Sequence, residues 1–517
     1  MKHHLVIGLE VHVQLLTRTK LFCGCRNQFG LPPNSATCPV CLGLPGVLPV
    51  MNRRAFELAV KAALALNCEI PLFTKWDRKN YYYPDLPKNY QISQYDLPLS
   101  RNGWLDVESP AGNRRIGIIR VHLEEDAGKL THDEQGKGDS LVDLNRTGTP
   151  LLEIVSRPDI VAPEEAKAYL EEIRLLMREL EISDCEMQEG SLRCDANINV
   201  HVAVPDGCFA ATPIVEIKNL NSFRAVERAL KYEASRQIAE FEKKFGKEWQ
   251  IREGQPREFA GRLVCPVMDA ERGQPIPKAT AGWNEDRGVT VVQRSKEEAE
   301  DYRYLPDPDL VPVVVDPAWL DEMRSQLGEL PAAQRRRLQA DYALTAYEAG
   351  VLTAQGRALV AYFEETAQTA GDPKEASNWI INDLLQVLNE SKRSLADLPL
   401  KPRSLGGLIR YLKQTGLNKQ RGRDIFARML EKGIEAEQAA GELGIQVVGD
   451  ESELAEIVRR AIAANPKAVA DYKNGKKKAA DAIKGAIMRE TKGMARIEVV
   501  QRLLLEELEK VPSDEKA

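Results

Sequence analysis

Alternation of apolar and polar positions dominates the first 295 residues. Ile7, Leu9, Val11 and Val13 are interleaved with Gly8, Glu10, His12 and Gln14. Leu192, Cys194, Ala196, Ile198 and Val200 alternate with Arg193, Asp195, Asn197, Asn199 and His201. Shorter runs set Val142 and Leu144 against Asp143 and Asn145, Leu152 and Ile154 against Leu151, Glu153 and Val155, and Val215 and Ile217 against Glu216 and Lys218. A period of two sends successive side chains to opposite faces of a pleated strand. These segments, separated by Gly and Pro turns, predict a largely antiparallel sheet with one apolar face. Two stretches keep helical spacing instead: Phe56, Val60, Ala63 and Leu64, and Ala166, Leu170, Ile173, Met177 and Leu180, the second entered through Asp159 and Pro163. Tyr302–Pro312 reads as extended and proline-punctuated, and from about residue 316 the spacing is helical almost throughout, with a further change near Pro402–Gly407. The expected class is α+β: a sheet-based domain over residues 1–295, a helical domain over 296–405 and a helical tail over 406–517, fraying at Pro512–Ala517.

A chain of 517 residues exceeds one ordinary core, which fits several domains. No apolar run approaches the roughly 20 residues of a membrane helix. The N-terminus reads as strand, without the basic and apolar regions of a secretory signal. Nine cysteines, an odd number in a long chain, argue against a secreted disulfide framework and for a reducing cytoplasm. The net charge of -6 leaves nucleic-acid contact to a local patch. One such patch is present: Lys467–Arg496 holds nine Lys or Arg against three acids, with Ala479, Ile483 and Ile487 as its buried stripe. Lys476, Lys477 and Lys478 are its candidate RNA-backbone contacts, the bland reading being a solvated face.

The polar face of the sheet carries the candidate chemistry. A solvated face is the ordinary explanation for any one strand. Taken together, however, these strands offer recurrent carboxylates with His, Asn and Arg and little Lys, a donor set suited to Mg²⁺ or Mn²⁺ holding a nucleotide phosphate. In Arg120–Lys129 (RVHLEEDAGK) strict alternation puts Glu124 with His122 and Glu125 with Val121 and Leu123, unless a twist at the strand end reverses them. No Walker A loop is present, so ATP binding requires metal and side chains on an open sheet. Cys23-Gly-Cys25 and Cys38-Pro-Val-Cys41 have the paired spacing of a tetrathiolate zinc site, and a closed shell of four ligands makes it structural. Cys68, Cys185, Cys194, Cys208 and Cys265 lie apart and read as core residues. The tyrosine-rich loop Asp77–Tyr95 suits a polar substrate and a packing role equally.

The segments IGLEVHVQL, DRKNYYYPDLPKNYQISQYD, RVHLEEDAGK, LVDLNRTGTPLLEIVSRPDI, GSLRCDANINV and EIKNLNSF, with DYRYLPDPDLVP and DYKNGKKKAADAIKGAIMRETKG further on, resemble the B subunit of the tRNA-dependent amidotransferases (GatB) over nearly the whole chain. The resemblance implies a glutamine-synthetase-like antiparallel cradle, a helical domain and a YqeY-like tail that grips tRNA. It implies an ATP-dependent carbon–nitrogen ligase with glutamine as amido donor. ATP and Mg²⁺ convert the side-chain carboxylate of Glu-tRNA(Gln) or Asp-tRNA(Asn) to an acyl phosphate, which ammonia from an amidase-type A subunit displaces. A small C subunit completes a heterotrimer. On the matching motifs, Glu10, His12, Glu125 and Glu153 are the first-choice Mg²⁺ ligands, with Glu124, Asp195 and Glu216 as alternatives. Arg193, Asn197 and Lys218 are expected nucleotide contacts, and Lys79 and Lys88 are expected along the ammonia passage. The cysteine quartet matches the structural zinc of one branch of the family. The tail departs from the family pattern, Gly493-Met-Ala495 being followed by Arg496-Ile497 rather than Asn-Pro, so the final helix is expected to start differently. Two competing readings are a non-catalytic zinc-containing RNA-binding protein and a stand-alone ATP-dependent carboxylate–amine ligase.

Overall fold

The alternating N-terminal segment becomes the central strand of the sheet. In the computed structural model, which describes residues 2–110, 112–131, 139–205, 207–251, 256–296, 302–445, 451–491 and 495–511, strand β1 is His3–Gln14 and buries Ile7, Leu9, Val11 and Val13. The neighbouring strands are β2 (Ser100–Ser109), β3 (Gly112–Glu125), β4 (Pro150–Ser156), β5 (Leu192–Ala203), β6 (Val215–Lys218) and β7 (Lys278–Asn284). They lie in the order β2-β3-β4-β1-β5-β6-β7, antiparallel except for the parallel pair β6-β7. Beyond β5, Phe209–Ala211 pairs parallel with Arg262–Asp269, so the sheet is mixed. The expected α+β class is met.

Helices α1 (Arg53–Ala65), α2 (Pro163–Glu179) and α3 (Phe223–Lys244) cover the apolar face. Phe56, Ala59, Leu170, Ile173, Val226 and Leu230 join the β1 and β5 apolar residues in one core, burial of which supplies the main driving force for the layer. Asp159 does not cap α2: the N-cap is Ala162, with Pro163 in the first turn, and Asp159 Oδ2 accepts the Gly117 N–H at 3.0 Å, tying the loop to β3. The expected strand at Val142–Asn145 is Leu141–Asp143, which pairs with Lys129–Thr131 outside the main sheet. Asp143 and Asn145 therefore leave the polar face. Asp143 accepts the Asn34 N–H at 3.0 Å and Asn145 the Ala36 N–H at 2.8 Å, fastening the loop that carries the cysteines.

The chain divides into two compact units, Met1–Leu330 and Pro331–Ala517. In the first, the extended segment after Tyr302 turns back along the sheet domain, Leu305 pairing with Arg78 and Val313 with Thr74. The second unit is helical. One apolar cluster holds Leu338, Phe363, Trp379, Leu405 and Phe426, and another holds Leu454, Val458, Ile483, Ile487, Val500 and Leu504. Ile483 and Ile487 are buried as the spacing predicts, and Lys476–Lys478 are exposed in the turn before helix Ala480–Glu490. Lys492, Gly493, Met494 and Pro512–Ala517 lie outside the described residues. Among the described residues no helix is long and apolar enough to cross a membrane.

Candidate functional site

Strand register builds the site row by row. His122 on β3, Glu153 on β4, His12 on β1 and Arg193 on β5 are successive cross-strand partners. Val155, Glu10 and Asp195 form the next row, and Asn197 faces Glu216 beyond it. Alternation turns all the polar members to one side, where they line a cavity of about 580 Å³. Glu10, His12, Glu124, Glu153, Arg193, Asp195, Asn197, Glu216, Lys218 and Lys79 all border it. Glu125 and Lys88 do not.

At one end, His12, Glu124 and Glu153 each offer a ligand atom, all within 4.8 Å of one another. His12 Nε2 stands 3.7 Å from Glu124 Oε1, and His122 Nε2 stands 3.0 Å from Glu153 Oε2. Burial pushes the Glu124 carboxyl up to about 8, and the neighbouring Glu153 charge adds to the rise. For Glu153 burial also opposes ionisation, but His122, His12 and Lys79 outweigh it and hold the carboxyl below the usual range. Two carboxylates pushed apart in this way beside an imidazole form a hard, oxygen-rich donor set that fits Mg²⁺ or Mn²⁺.

At the other end, Lys218 Nζ donates to Asp195 Oδ2 at 2.7 Å and contacts Glu216 Oε1 at 2.9 Å. Glu10 accepts from Asn197 Nδ2 at 3.0 Å. Burial raises the Glu10 carboxyl, and repulsion from Glu153, Glu216 and Asp195 raises it further. Between the ends, Arg193 donates to buried Asp126 at 2.8 Å, and Gln14 and Arg146 bear on the same carboxylate. Alternation does not single out Asp126, because it follows the end of β3. Lys79 lies over the rings of Tyr302 and Tyr81, 4.7 Å and 5.7 Å from their centroids. Tyr302 and Tyr304 reach the cavity through the returning segment, a long-range placement no local pattern carries.

Glu125 occupies the opposite face of β3. It pairs with Lys88, accepts the Ile92 N–H at 2.9 Å, and its backbone carbonyl accepts Gln91 Nε2 at 2.7 Å. The bulge in β3 falls earlier, between Ile118 and Arg120, so strict alternation holds through Arg120, His122 and Glu124. The wall behind this pair is the cysteine loop: Glu125, Lys88, Cys23, Cys41 and Gly43 border one small cavity. Gly43 has φ 69°, and a Cβ there would stand 2.3 Å from Lys88 Cγ, so only glycine lets the Lys88 stem cross the loop.

The sulfur atoms of Cys23, Cys25, Cys38 and Cys41 also lie within 4.8 Å of one another, compatible with a structural zinc ion. A hydrogen bond from Cys23 holds the Cys41 thiol down at about 4 against the effect of burial, helped by the Cys38 N–H and Lys20.

Comparison with known proteins gives two domain matches. Residues 5–321 match the GatB/GatE catalytic domain and residues 361–508 match the GatB domain. Along 99% of its length the chain is 48% identical to the B subunit of aspartyl/glutamyl-tRNA(Asn/Gln) amidotransferase from Carboxydothermus hydrogenoformans, covering 100% of that protein. It is 47% identical to the proteins of the same name from Rhodopirellula baltica, over 98% of this chain and 97% of the relative, and Moorella thermoacetica, over 98% and 100%.

Proposed function

Because the chain belongs to the family of aspartyl/glutamyl-tRNA(Asn/Gln) amidotransferase B subunits, we propose that its cavity phosphorylates the side-chain carboxylate of Glu-tRNA(Gln) or Asp-tRNA(Asn) with ATP and passes the acyl phosphate to ammonia. The observation that carries this reading is the approach of His12, Glu124 and Glu153 within 4.8 Å on one face of a rigid sheet, with cationic side chains around them.

A bare carboxylate does not exchange its oxygen for ammonia at a useful rate, so phosphorylation is needed to make that oxygen a leaving group. The substrate carboxylate is the nucleophile, and the protein's work is placement and charge neutralisation. His12, Glu124 and Glu153 would hold Mg²⁺, which supplies neutralisation of the γ-phosphate oxygens when bound. Glu124 thus takes the ligand position first expected of Glu125. Asp195 and Glu216 hold the Lys218 ammonium at the cavity lining, with Glu10 nearby. Asp126 fixes Arg193 for a phosphate contact, and Asn197 steadies Glu10. Lys79, held over two tyrosine rings, offsets the charge of Glu124 and Glu153.

Ammonia must arrive unprotonated, which calls for passage out of bulk water. Lys88 and Glu125, a buried ion pair behind the cavity, suit a gate on that passage, with Lys79 on its cavity side. The chain has no amidase nucleophile of its own in this scheme. An amidase-type A subunit supplies ammonia from glutamine, a small C subunit completes the heterotrimer, and the tail lysines Lys476–Lys478 hold the tRNA backbone in the cytoplasm. Cys23, Cys25, Cys38 and Cys41 would hold zinc, which would stiffen the wall.

The test is ATP consumption by the assembled complex with and without mischarged tRNA. Turnover that requires the mischarged tRNA and falls with Glu124→Gln supports the reading. ATP consumption indifferent to mischarged tRNA overturns it.

A further inference from the structure

Lys20 is one of the largest fully buried side chains of the molecule, with 0% of its surface exposed. An ammonium ion taken wholly out of water must find compensating charge or hydrogen bonds. Among the described residues no carboxylate lies within ion-pair distance of it. Its Nζ donates to the Ala36 carbonyl at 2.8 Å and to Cys41 Sγ at 3.7 Å. Both acceptors belong to the cysteine loop. The stem reaches them past Gly148, whose φ of +82° is a conformation that favours glycine.

A neutral thiol is a weak acceptor and does not balance a buried cation. Four thiolates around a divalent ion carry two net negative charges, which also need compensation inside the fold. The two requirements meet at one contact. We propose that Lys20 is the built-in counter-charge of the four-cysteine centre, a positioning residue whose ammonium, seated between Cys41 Sγ and the Ala36 carbonyl, slows release of the metal. The inference rests on reading that centre as a zinc site. It adds a residue outside the ligand set, on the strand-to-loop segment before Cys23, that sets how tightly the loop holds its ion. The Lys20 amide is fixed as well, donating to the Cys25 carbonyl at 3.0 Å, so the residue is tied to the loop at both ends.

The experiment uses the full-length chain purified with zinc. Metal content is measured first. Transfer of zinc to a chromophoric chelator is then timed for the parent chain, Lys20→Met and Lys20→Arg. Cobalt-loaded samples give the thiolate-to-metal charge-transfer band as an independent readout of ligation. Lys20→Met preserves length and removes the charge, and it is expected to release zinc at least about tenfold faster, in line with other residues that support metal ligands from behind. Lys20→Arg is expected to fall between the two. If Lys20→Met releases zinc at the parental rate, the proposal is overturned while the zinc site stands. A parent chain that carries no zinc and shows four titratable thiols overturns the zinc reading itself. Should Lys20→Met not fold, acylation of the parent chain by an amine reagent, read by mass spectrometry, replaces it. Lys20 is expected to be protected with zinc bound and modified once chelator has removed the ion, and equal modification in both states defeats the proposal.

Discussion

Glu124 and Glu125 are consecutive in the chain and serve opposite sides of β3: Glu124 reaches toward His12 Nε2, 3.7 Å away in the cavity, and Glu125 turns into the wall to pair with Lys88. Two consecutive carboxylates therefore face different surroundings, the first beside His12 and Glu153 and the second against the cysteine loop.

Their conservative variants are expected to separate. Glu124→Gln should lower tRNA-dependent ATP turnover of the assembled complex by at least about 10²-fold, the loss typical of removing a major electrostatic stabiliser. It should do so whether glutamine or free ammonium is the nitrogen source. Glu125→Gln should lower glutamine-driven amidation more than ammonium-driven amidation. Equal losses from both donors in both variants would place the two residues in one task and refute the division.

The period-two pattern makes half of this site legible. Glu10, His12, Arg193, Asp195, Asn197 and Glu216 share a face because alternation in a strand leaves no other arrangement, and the cavity collects them. The parity of Glu124 and Glu125 is also in the sequence, since Val121 and Leu123 mark the apolar side, yet likeness to related proteins favours Glu125. What alternation cannot convey is which strands adjoin. That β1 lies between β4 and β5, bringing His12 beside Glu153, depends on contacts between residues more than a hundred apart. Tyr302 and Tyr304 arrive by the same kind of long return. Asp143 and Asn145 show the opposite failure, a local alternation too short to join the sheet, whose polar groups bind the cysteine loop instead.

The cysteine loop is expected to contain one zinc ion in tetrahedral sulfur coordination, with Zn–S distances of about 2.3 Å by X-ray absorption. Cys38→Ser should lose the metal and lower the thermal midpoint of the sheet domain. A variant that retains full zinc with unchanged melting would exclude Cys38 from the ligand set.

For the tail, replacing Lys476, Lys477 and Lys478 together by Gln should weaken tRNA binding and leave nucleotide binding intact. Each phosphate contact removed should flatten the log–log salt dependence of binding by roughly 0.7 to 0.9. Unchanged affinity and slope would mark these exposed lysines as solvated only.

Acid should destabilise the sheet domain through His201. This residue is 4% exposed, packs edge-on against Phe259, and has its imidazole pushed down to about 4 by burial, with Arg262 adding to the effect. The unfolded chain takes up the proton near 6.5 and the folded chain does not, so stability is whole above pH 6.5 and declines as the pH falls toward 4. The decline should be on the order of 3 kcal/mol at most. Denaturant titrations at pH 7 and pH 4.5 measure it, and His201→Phe should flatten the difference. An identical loss in parent and variant would assign the acid sensitivity to other groups.

The central position of β1 also sets a timetable for synthesis. Strand His3–Gln14, with one apolar face, leaves the ribosome while its two neighbours, Pro150–Ser156 and Leu192–Ala203, have yet to be made. At the usual elongation rate of roughly 5 to 20 residues per second, that strand waits about 7 to 30 s for its first neighbour and about 10 to 40 s for its second. That strand is thus a segment that needs sheltering during translation, and a chain that stalls before residue 203 has no completed sheet on which to assemble the cavity.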